Sequence, residues 1–364
     1  MIILAVILLL VGWVILFVNQ RKFGKKPVGN AFKIMQQSKN YGKGMFQNIS
    51  VTPQLTDGAT YYSVLKKFIF HRSKRLKPKG KIPSQKTDLH TIPIDKNVLV
   101  WFGHSSYFIQ VDGKKILVDP VLSGAASPIK FTTKSFSGSD VYTTKDLPPI
   151  DFLFLSHDHW DHLDYETVIA LKAKVGKVVC GLGVGAHLIY WGYNPNLIIE
   201  NDWDQHIVLD KGFEVNTVAS RHFSGRGFYR NQSLWLSFAL STPAFKIFIG
   251  GDSGFDAHFV KAGQNFGPFD LAILECGQYD KSWKHIHMLP SEILQAAKDL
   301  NAKRLLPVHW GKFALANHDW DTPIKELIAL NENDTIPLLT PMIGEVINLD
   351  NHQQLFSNWW EDVE

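Results

Sequence analysis

The feature that most constrains this chain is a cluster of metal-binding side chains placed directly after a short apolar run. Residues 152–155 (FLFL) are bounded by turn residues, which is typical of a fully buried strand. The following segment, residues 156–162 (SHDHWDH), contains the pattern H-x-H-x-D-H. Its four potential ligands cannot share one face of a helix, whereas on a loop they can surround a point in space. Imidazole and carboxylate groups bind zinc, so the sequence predicts a metal site on this loop.

Three later residues, His222, Asp252 and His309, extend this set of ligands. Each of them lies where a predicted apolar strand ends. In open sheets, functional sites collect at such strand ends. Taken singly, each of the three is equally well explained as a structural residue. With the loop they give seven ligands for two zinc ions: His157, His159, Asp161, His162, His222, Asp252 and His309. Only two cysteines are present, Cys180 and Cys276, which excludes a Cys-rich zinc module and a disulfide framework.

The order of predicted elements indicates an α/β fold. Strands over 98–102, 107–111 and 115–118 form a meander, with a hairpin turn at Asp112-Gly113. Further along the chain, apolar runs alternate with helical segments, including one capped by Asp164 and extending to about residue 174. This order predicts two sheets packed between helices, a four-layer αβ/βα sandwich.

The first 18 residues form an apolar run without a charged side chain. This length is just sufficient to cross the hydrocarbon core of a membrane as a helix. A cleaved signal peptide is the alternative, but the run has neither a preceding basic region nor a small-residue cleavage site. We therefore expect a transmembrane anchor at residues 1–20, a juxtamembrane arm at 21–95 and a globular body at 96–364. Lysines and arginines directly after the run place the body on the cytoplasmic side of a single-pass membrane protein.

Charge is distributed unevenly between the arm and the body. Residues 21–90 hold 16 Lys and Arg against two Asp, whereas the rest of the chain has a net charge of −10. Residues 1–26 and the basic arm are expected to contact a membrane surface with anionic headgroups. Nucleic acid is the rival partner for such a basic run, but a nuclease needs a basic catalytic channel and this body is acidic. The sequence carries no signal for the oligomeric state.

Longer sequence motifs indicate a resemblance to a known family. The ligand order, together with WFGHSS at 101–106, VDPV at 118–121, FGPFDLAIL at 266–274 and HWGKFALAN at 309–317, resembles the metallo-β-lactamase superfamily. The last two motifs are similar to the branch that contains N-acylphosphatidylethanolamine-hydrolysing phospholipase D and its bacterial relatives. The resemblance covers about residues 97–330, and it implies that residues 96–364 are a metallo-β-lactamase-like hydrolase domain.

The resemblance also implies a division of the ligands and an activity. One zinc ion would bind His157, His159 and His222, the other would bind Asp161, His162 and His309, and Asp252 would bridge the two. A hydroxide shared by two zinc ions is a nucleophile at neutral pH, and the ions neutralise charge that develops on phosphoryl oxygens. The implied reaction hydrolyses N-acylphosphatidylethanolamine-like phospholipids to N-acylethanolamine and phosphatidic acid.

Three further residues receive roles through the resemblance. His287 aligns with a histidine near the substrate, where it would bind the phosphate or protonate the leaving alkoxide, so Asp252 and His287 are the catalytic candidates. The alternative for His287 is a solvent-facing histidine before a helix. His104 and Asp119 lie in motifs close to the metals, and we expect them to orient ligands rather than to react.

Two other functions remain open at this stage. One is a dizinc hydrolase of the same fold that acts on lactones or small phosphodiesters. The other is a non-catalytic membrane interaction module, against which the complete ligand set argues. Glu275 and Gln278 depart from the apolar pattern of the animal phospholipase, which would change the headgroup or acyl chain that the pocket accepts.

Overall fold

The computed structural model describes residues 2–56, 58–332 and 336–363. Met1 and Glu364, the outer ends of the predicted anchor and body, lie outside the described residues. The helices are α1 Ile2–Val18, α2 Gly29–Gln37, α3 Tyr61–Phe70, α4 Tyr165–Leu171, α5 Gly185–Tyr190, α6 His258–Phe266, α7 Pro290–Asp299 and α8 Thr322–Leu330. The strands are β1 Tyr41–Gly42, β2 Met45–Phe46, β3 Val98–Trp101, β4 Tyr107–Val111, β5 Lys114–Val118, β6 Ile150–Leu155, β7 Val175–Gly181, β8 Ile198–Asn201, β9 His206–Asp210, β10 Phe213–Ala219, β11 Leu236–Ser241, β12 Lys246–Ile249, β13 Leu271–Glu275, β14 Leu305–Val308 and β15 Val346–Asn348.

Two mixed sheets form the centre of the molecule. The first has the strand order β15-β3-β4-β5-β6-β7-β8, and the second has the order β14-β13-β12-β11-β10-β9. Each sheet begins as an antiparallel meander and continues with parallel strands, such as β6 with β7 and β12 with β13. Parallel neighbours need a crossover connection, and α4 and α6 provide it for these two pairs. Residues at the carboxyl ends of β6, β10, β12, β13 and β14 therefore become available for a common site.

Strand β6 shows how the layers are built. Phe152 and Phe154 belong to the core between the sheets, and Phe154 stacks on Phe238 of β11 with ring centroids 4.9 Å apart. Leu153 and Leu155 point to the other face, where they join a cluster with residues of α4 and α5. Because side chains alternate along a strand, an uninterrupted apolar run is required when both faces are buried. The predicted sandwich of two sheets between helices is confirmed.

The transmembrane anchor predicted for residues 1–20 is wrong. Among the described residues no helix is long and apolar enough to cross a membrane. Helix α1 has 17 residues, which at 1.5 Å per residue extends about 26 Å, short of the roughly 30 Å of hydrocarbon in a bilayer. Phe17 near its end packs on Phe23, and Phe23 packs on Trp160 beside the predicted metal ligands. A single-pass membrane protein with a cytoplasmic body is therefore not supported either.

The basic segment 21–95 lies along the rest of the chain. Lys67 pairs with Asp280 at 2.6 Å, and the Arg75 guanidinium contacts the buried carboxylate of Asp321 at 2.5 Å. Farther along, the amide of Gln85 donates to the carbonyl of residue 343 at 2.9 Å. This segment therefore contributes structure to the body at several points, including the edge of the candidate site.

Candidate metal centre and substrate pocket

The H-x-H-x-D-H segment forms a tight loop at the carboxyl end of β6. The amide nitrogens of His162 and Leu163 both donate to the carbonyl of His159, at 3.1 and 2.8 Å. This turn carries Asp161 and His162 to a different side of the loop from His157 and His159. The local sequence therefore folds as expected, with its four ligand side chains divided between two groups.

The first group contains His157, His159, His222 and Asp252, whose candidate ligand atoms lie within 4.8 Å of one another. The Nδ1 atom of His159 lies 2.9 Å from Nε2 of His157 and 3.2 Å from Nε2 of His222. Strand β10 brings His222 to this point from the second sheet. Three imidazole nitrogens thus converge on one location between the two sheets.

The second group contains His104, Asp161, His162 and His309. Asp252 lies between the two groups. Its Oδ1 is 3.2 Å from Nε2 of His162 and 3.3 Å from Nδ1 of His309, and its Oδ2 is 3.7 Å from Nε2 of His222. The seven predicted ligands therefore come together, with one oxygen of Asp252 facing each group. His104, expected to support ligands, joins the second group through Nε2, 2.9 Å from Oδ2 of Asp161.

The protonation of the cluster fits a cation. Burial lowers the pKa of His157, His222 and His309 well below the ordinary value, and neighbouring histidines lower it further. Burial also lowers the pKa of His159 to about 4. Neutral imidazoles whose nitrogens face one another at about 3 Å hold lone pairs that a metal ion would bind.

The position of two buried atoms supports the same conclusion. Nε2 of His162 and Oδ1 of Asp252 lie 3.2 Å apart, but neither makes a well-directed hydrogen bond within the described structure. Burial lowers the pKa of His162, but Asp252, Asp161 and Asp119 outweigh burial and raise this pKa well above its ordinary value. The carboxylates thus attract positive charge to this location, and a divalent cation fits the donor set. Whether these residues bind metal stays a prediction.

Polar neighbours orient the candidate ligands. Asp119, predicted to orient ligands, accepts from the Ser156 amide at 2.8 Å and contacts Nδ1 of His162 at 2.8 Å. Ser105 lies 2.9 Å from Nδ1 of His309. A partner on one ring nitrogen fixes the orientation of the ring and leaves the other nitrogen for a metal.

Asn48, on the segment that the sequence suggested was an arm, also contacts a candidate ligand. Its Nδ2 donates to the carbonyl of His222 at 2.7 Å, and its Oδ1 accepts from the His222 amide at 3.1 Å. The same oxygen accepts from Nε1 of Trp235 at 3.1 Å. Sequence reasoning missed this residue, since a single asparagine in a basic segment carries no local signal.

His287 lies beside the cluster and is held by Glu275 at the end of β13. Its Nδ1 is 2.5 Å from Oε2 of Glu275, while Oε1 of Glu275 accepts from the Met288 amide at 2.9 Å. Burial raises the pKa of Glu275 well above its ordinary value and lowers the pKa of His287. The sequence indicated His287 as a pocket residue but missed its contact with Glu275. A carboxylate at the end of a buried strand was the available signal.

One side of a cavity of about 380 Å³ is lined by residues of both groups: His159, His222, Asp252, Asp161 and His309. The opposite wall contains both polar and apolar side chains. Much of it comes from residues before the body: Asn48, Thr52, Gln54, Leu55, Tyr61 and Val64. Apolar side chains of Phe223, Trp283, Ile286 and Leu315 complete the wall. The guanidinium of Arg230 stacks on Phe223, 4.7 Å from the ring centroid, and within the described residues it pairs with no carboxylate.

Comparison with known proteins shows the family and the fold of this chain. Residues 114–310 match the family described as the beta-lactamase superfamily domain. An uncharacterized protein of Mycobacterium tuberculosis is 34% identical over 331 residues, which cover 90% of this chain and 88% of that protein. N-acyl-phosphatidylethanolamine-hydrolyzing phospholipase D 1 of Caenorhabditis elegans is 30% identical over 271 residues, which cover 68% of this chain and 74% of that protein. A metallo hydrolase of the archaeon Ignicoccus hospitalis shares the fold with a TM-score of 0.54 at 19% identity, covering 70% of this chain and 98% of that chain.

Proposed function

Because the chain belongs to the metallo-β-lactamase superfamily of metal-dependent hydrolases, we propose that it is a dizinc phosphodiesterase of phospholipase D type. Its proposed substrates are N-acylphosphatidylethanolamine-like phospholipids, and its products are N-acylethanolamine and phosphatidic acid. The observation that carries the proposal is the position of the two ligand groups, with Asp252 between them, along a cavity whose wall includes apolar side chains and Arg230, which among the described residues pairs with no carboxylate. The name of the Caenorhabditis elegans relative supports the same substrate class.

Zinc suits the donor set, since the two groups offer only imidazole nitrogen and carboxylate oxygen. His157, His159 and His222 would hold one ion, and Asp161, His162 and His309 would hold the other, with Asp252 facing both. When bound, two such ions supply a water-derived nucleophile at neutral pH and neutralise charge on a phosphoryl group.

The remaining residues bind and orient the substrate. Arg230 at the cavity edge attracts the phosphodiester anion, since its guanidinium has five donors and, in the part of the chain that the structure describes, no carboxylate partner. Glu275 holds His287 through Nδ1, so Nε2 is the nitrogen that can contact the phosphate or protonate the leaving alkoxide. The apolar residues Phe223, Trp283 and Leu315 take part of an acyl chain and exclude water from the reacting phosphate.

The proposal is tested with the purified full chain. Bound metal is quantified, and release of N-acylethanolamine from N-acylphosphatidylethanolamine in mixed micelles is followed by mass spectrometry. We expect two zinc ions per chain and metal-dependent release of both products. Asp252→Ala should lose metal and activity, whereas Asp256→Ala, a nearby carboxylate that pairs with Arg221 and lies outside both ligand groups, should retain both.

A second comparison separates the phosphodiester from other substrates. Arg230→Gln should raise KM for the anionic lipid and leave turnover of an uncharged lactone unchanged, because only the former presents a phosphate. If the protein binds two metal ions and turns over a lactone but no lipid, the substrate is a lactone and not a lipid. Fewer than one metal per chain would refute the proposed mechanism.

A further inference from the structure

Residues 21–25, called the clamp segment here, contact the loop of residues 157–163, called the metal loop, through the ring of Phe23, whose centroid lies 5.1 Å from that of Trp160. Asp158 lies between the candidate ligands His157 and His159, but its carboxylate contacts other partners. It accepts from the Gly225 amide at 2.6 Å and from Ser233 Oγ at 2.8 Å. Asp158 therefore anchors the metal loop to Gly225 and Ser233, which belong to neither ligand group.

Arg226 connects the clamp segment to both ends of the metal loop. One guanidinium nitrogen donates to the carbonyls of Asp158 and Leu163, at 3.0 and 2.5 Å, and the other donates to the carbonyl of Lys22 at 2.9 Å. The guanidinium is buried and lies 3.9 Å from the centroid of the Trp160 ring, also in the metal loop. A planar group with fixed donor directions thus sets the distance between three backbone carbonyls.

His187 makes a second connection. Its Nδ1 accepts from the Lys25 amide at 3.0 Å, so its proton is on Nε2, which lies 3.1 Å from Oδ2 of Asp158. Gly24 fits closely over this ring with a φ of +77°, and a Cβ atom at that position would lie 2.0 Å from Nδ1 of His187. Only glycine permits this approach. The backbone of the clamp segment therefore contacts His187 directly, and His187 in turn contacts Asp158 of the metal loop.

We propose that the clamp segment, acting through the positioning residues Arg226 and His187, fixes the metal loop and slows the loss of bound metal. This inference rests on the proposed metal function of the loop. Groups that orient metal ligands from behind typically change metal affinity by about 10–100-fold when they are removed. A segment that precedes the body by some 70 residues would thus be part of the metal site's support.

The test replaces Gly24 with alanine in the full zinc-loaded chain and measures zinc release to excess chelator by metal analysis over time. We expect release about 10–100 times faster than from the unsubstituted protein. Gly29→Ala is the matched control, because Gly29 also has a positive φ, +60°, but a Cβ there meets nothing within 4 Å. Both variants carry backbone strain, and only Gly24→Ala displaces the clamp segment from His187.

A second variant, Arg226→Lys, keeps the charge and loses the planar fork, so it should also release zinc faster. Thermal unfolding of each variant is measured in parallel. The inference is overturned if Gly24→Ala releases zinc at the unsubstituted rate, if Gly29→Ala accelerates release equally, or if only the unfolding temperature changes. If the unsubstituted chain holds less than one metal, the proposed function fails instead, which distinguishes the two failures.

Discussion

Replacing Asn48 with alanine removes a side chain that brackets the backbone of the candidate ligand His222. The Asn48 amide makes one hydrogen bond to the carbonyl and one to the amide nitrogen of this residue, at 2.7 and 3.1 Å. Trp235 loses a partner too, but its Nε1 keeps the carbonyl of Ser220 at 3.0 Å. The perturbation is therefore concentrated on the strand end that positions His222.

The magnitude follows from these two bonds. A hydrogen bond contributes about 0.5–1.5 kcal/mol net, so the loss of two is expected to lower the free energy of unfolding by about 1–3 kcal/mol. Because Asn48 lines the cavity, water can replace part of its contacts and keeps the cost toward the lower end. For metal affinity, loss of a group that orients a ligand corresponds to about a 10–100-fold decrease.

The assay is competition for zinc between the protein and a chelator of known affinity, together with urea unfolding. Gln47→Ala is the matched control, since within the described residues the side-chain amide of Gln47 donates to the carbonyls of Gly42 and Met45 in the same segment and to no other group. We expect weaker zinc binding for Asn48→Ala and unchanged binding for Gln47→Ala. Equal zinc affinity in Asn48→Ala and the unsubstituted protein would refute the view that this residue supports the metal site.

Further predictions concern catalysis, metal and pH. His287→Ala should lower kcat by about 10²–10⁴-fold with little change in metal content, measured by lipid turnover and metal analysis; a metal loss would refute its assignment to proton transfer. Removing metal with a chelator should lower the unfolding temperature in calorimetry, because the buried ligand atoms then face one another unpaired; an unchanged temperature would contradict metal binding. Burial by itself would raise the pKa of Asp321, but Lys325 and Arg75 outweigh burial and lower this pKa below its ordinary value. The unsubstituted protein should therefore have a higher free energy of unfolding than Asp321→Asn, and this difference should be complete above the ordinary pKa of an aspartate. The difference should disappear as pH falls through the lower pKa of the folded state, as followed by urea unfolding. A difference independent of pH would exclude this ion pair as its source.

Local patterns in the sequence were sufficient for much of the fold. Strands β4 and β6 and the loop after β6 follow from apolar runs, turn residues and ligand spacing, which act over a few residues. Helix α4 ends at Leu171, before the predicted residue 174, and the amides of Lys172 and Lys174 instead bond to carbonyls three residues earlier, as in a turn. Strand β9 was not predicted, although its side chains alternate between exposed and buried.

The ligand set, too, could be predicted from local sequence only in part. His157 and His162 are close in sequence, so their chemistry could be recognised directly. His222, Asp252 and His309 lie far along the chain, and the family resemblance rather than spacing assigned them to two groups. The structure brings all seven together, and it adds His104 to the second group.

Local sequence was sufficient to select the candidate metal ligands and to place them after buried strands, because residue type and periodicity are properties of short segments. Tertiary structure alone decided that helix α1 ends after 17 residues against Phe23 and Trp160. It also decided that Asn48 reaches His222 and that Glu275 holds His287. Such contacts join residues that are distant in sequence, and they form only when two sheets and the preceding segment pack around one buried centre.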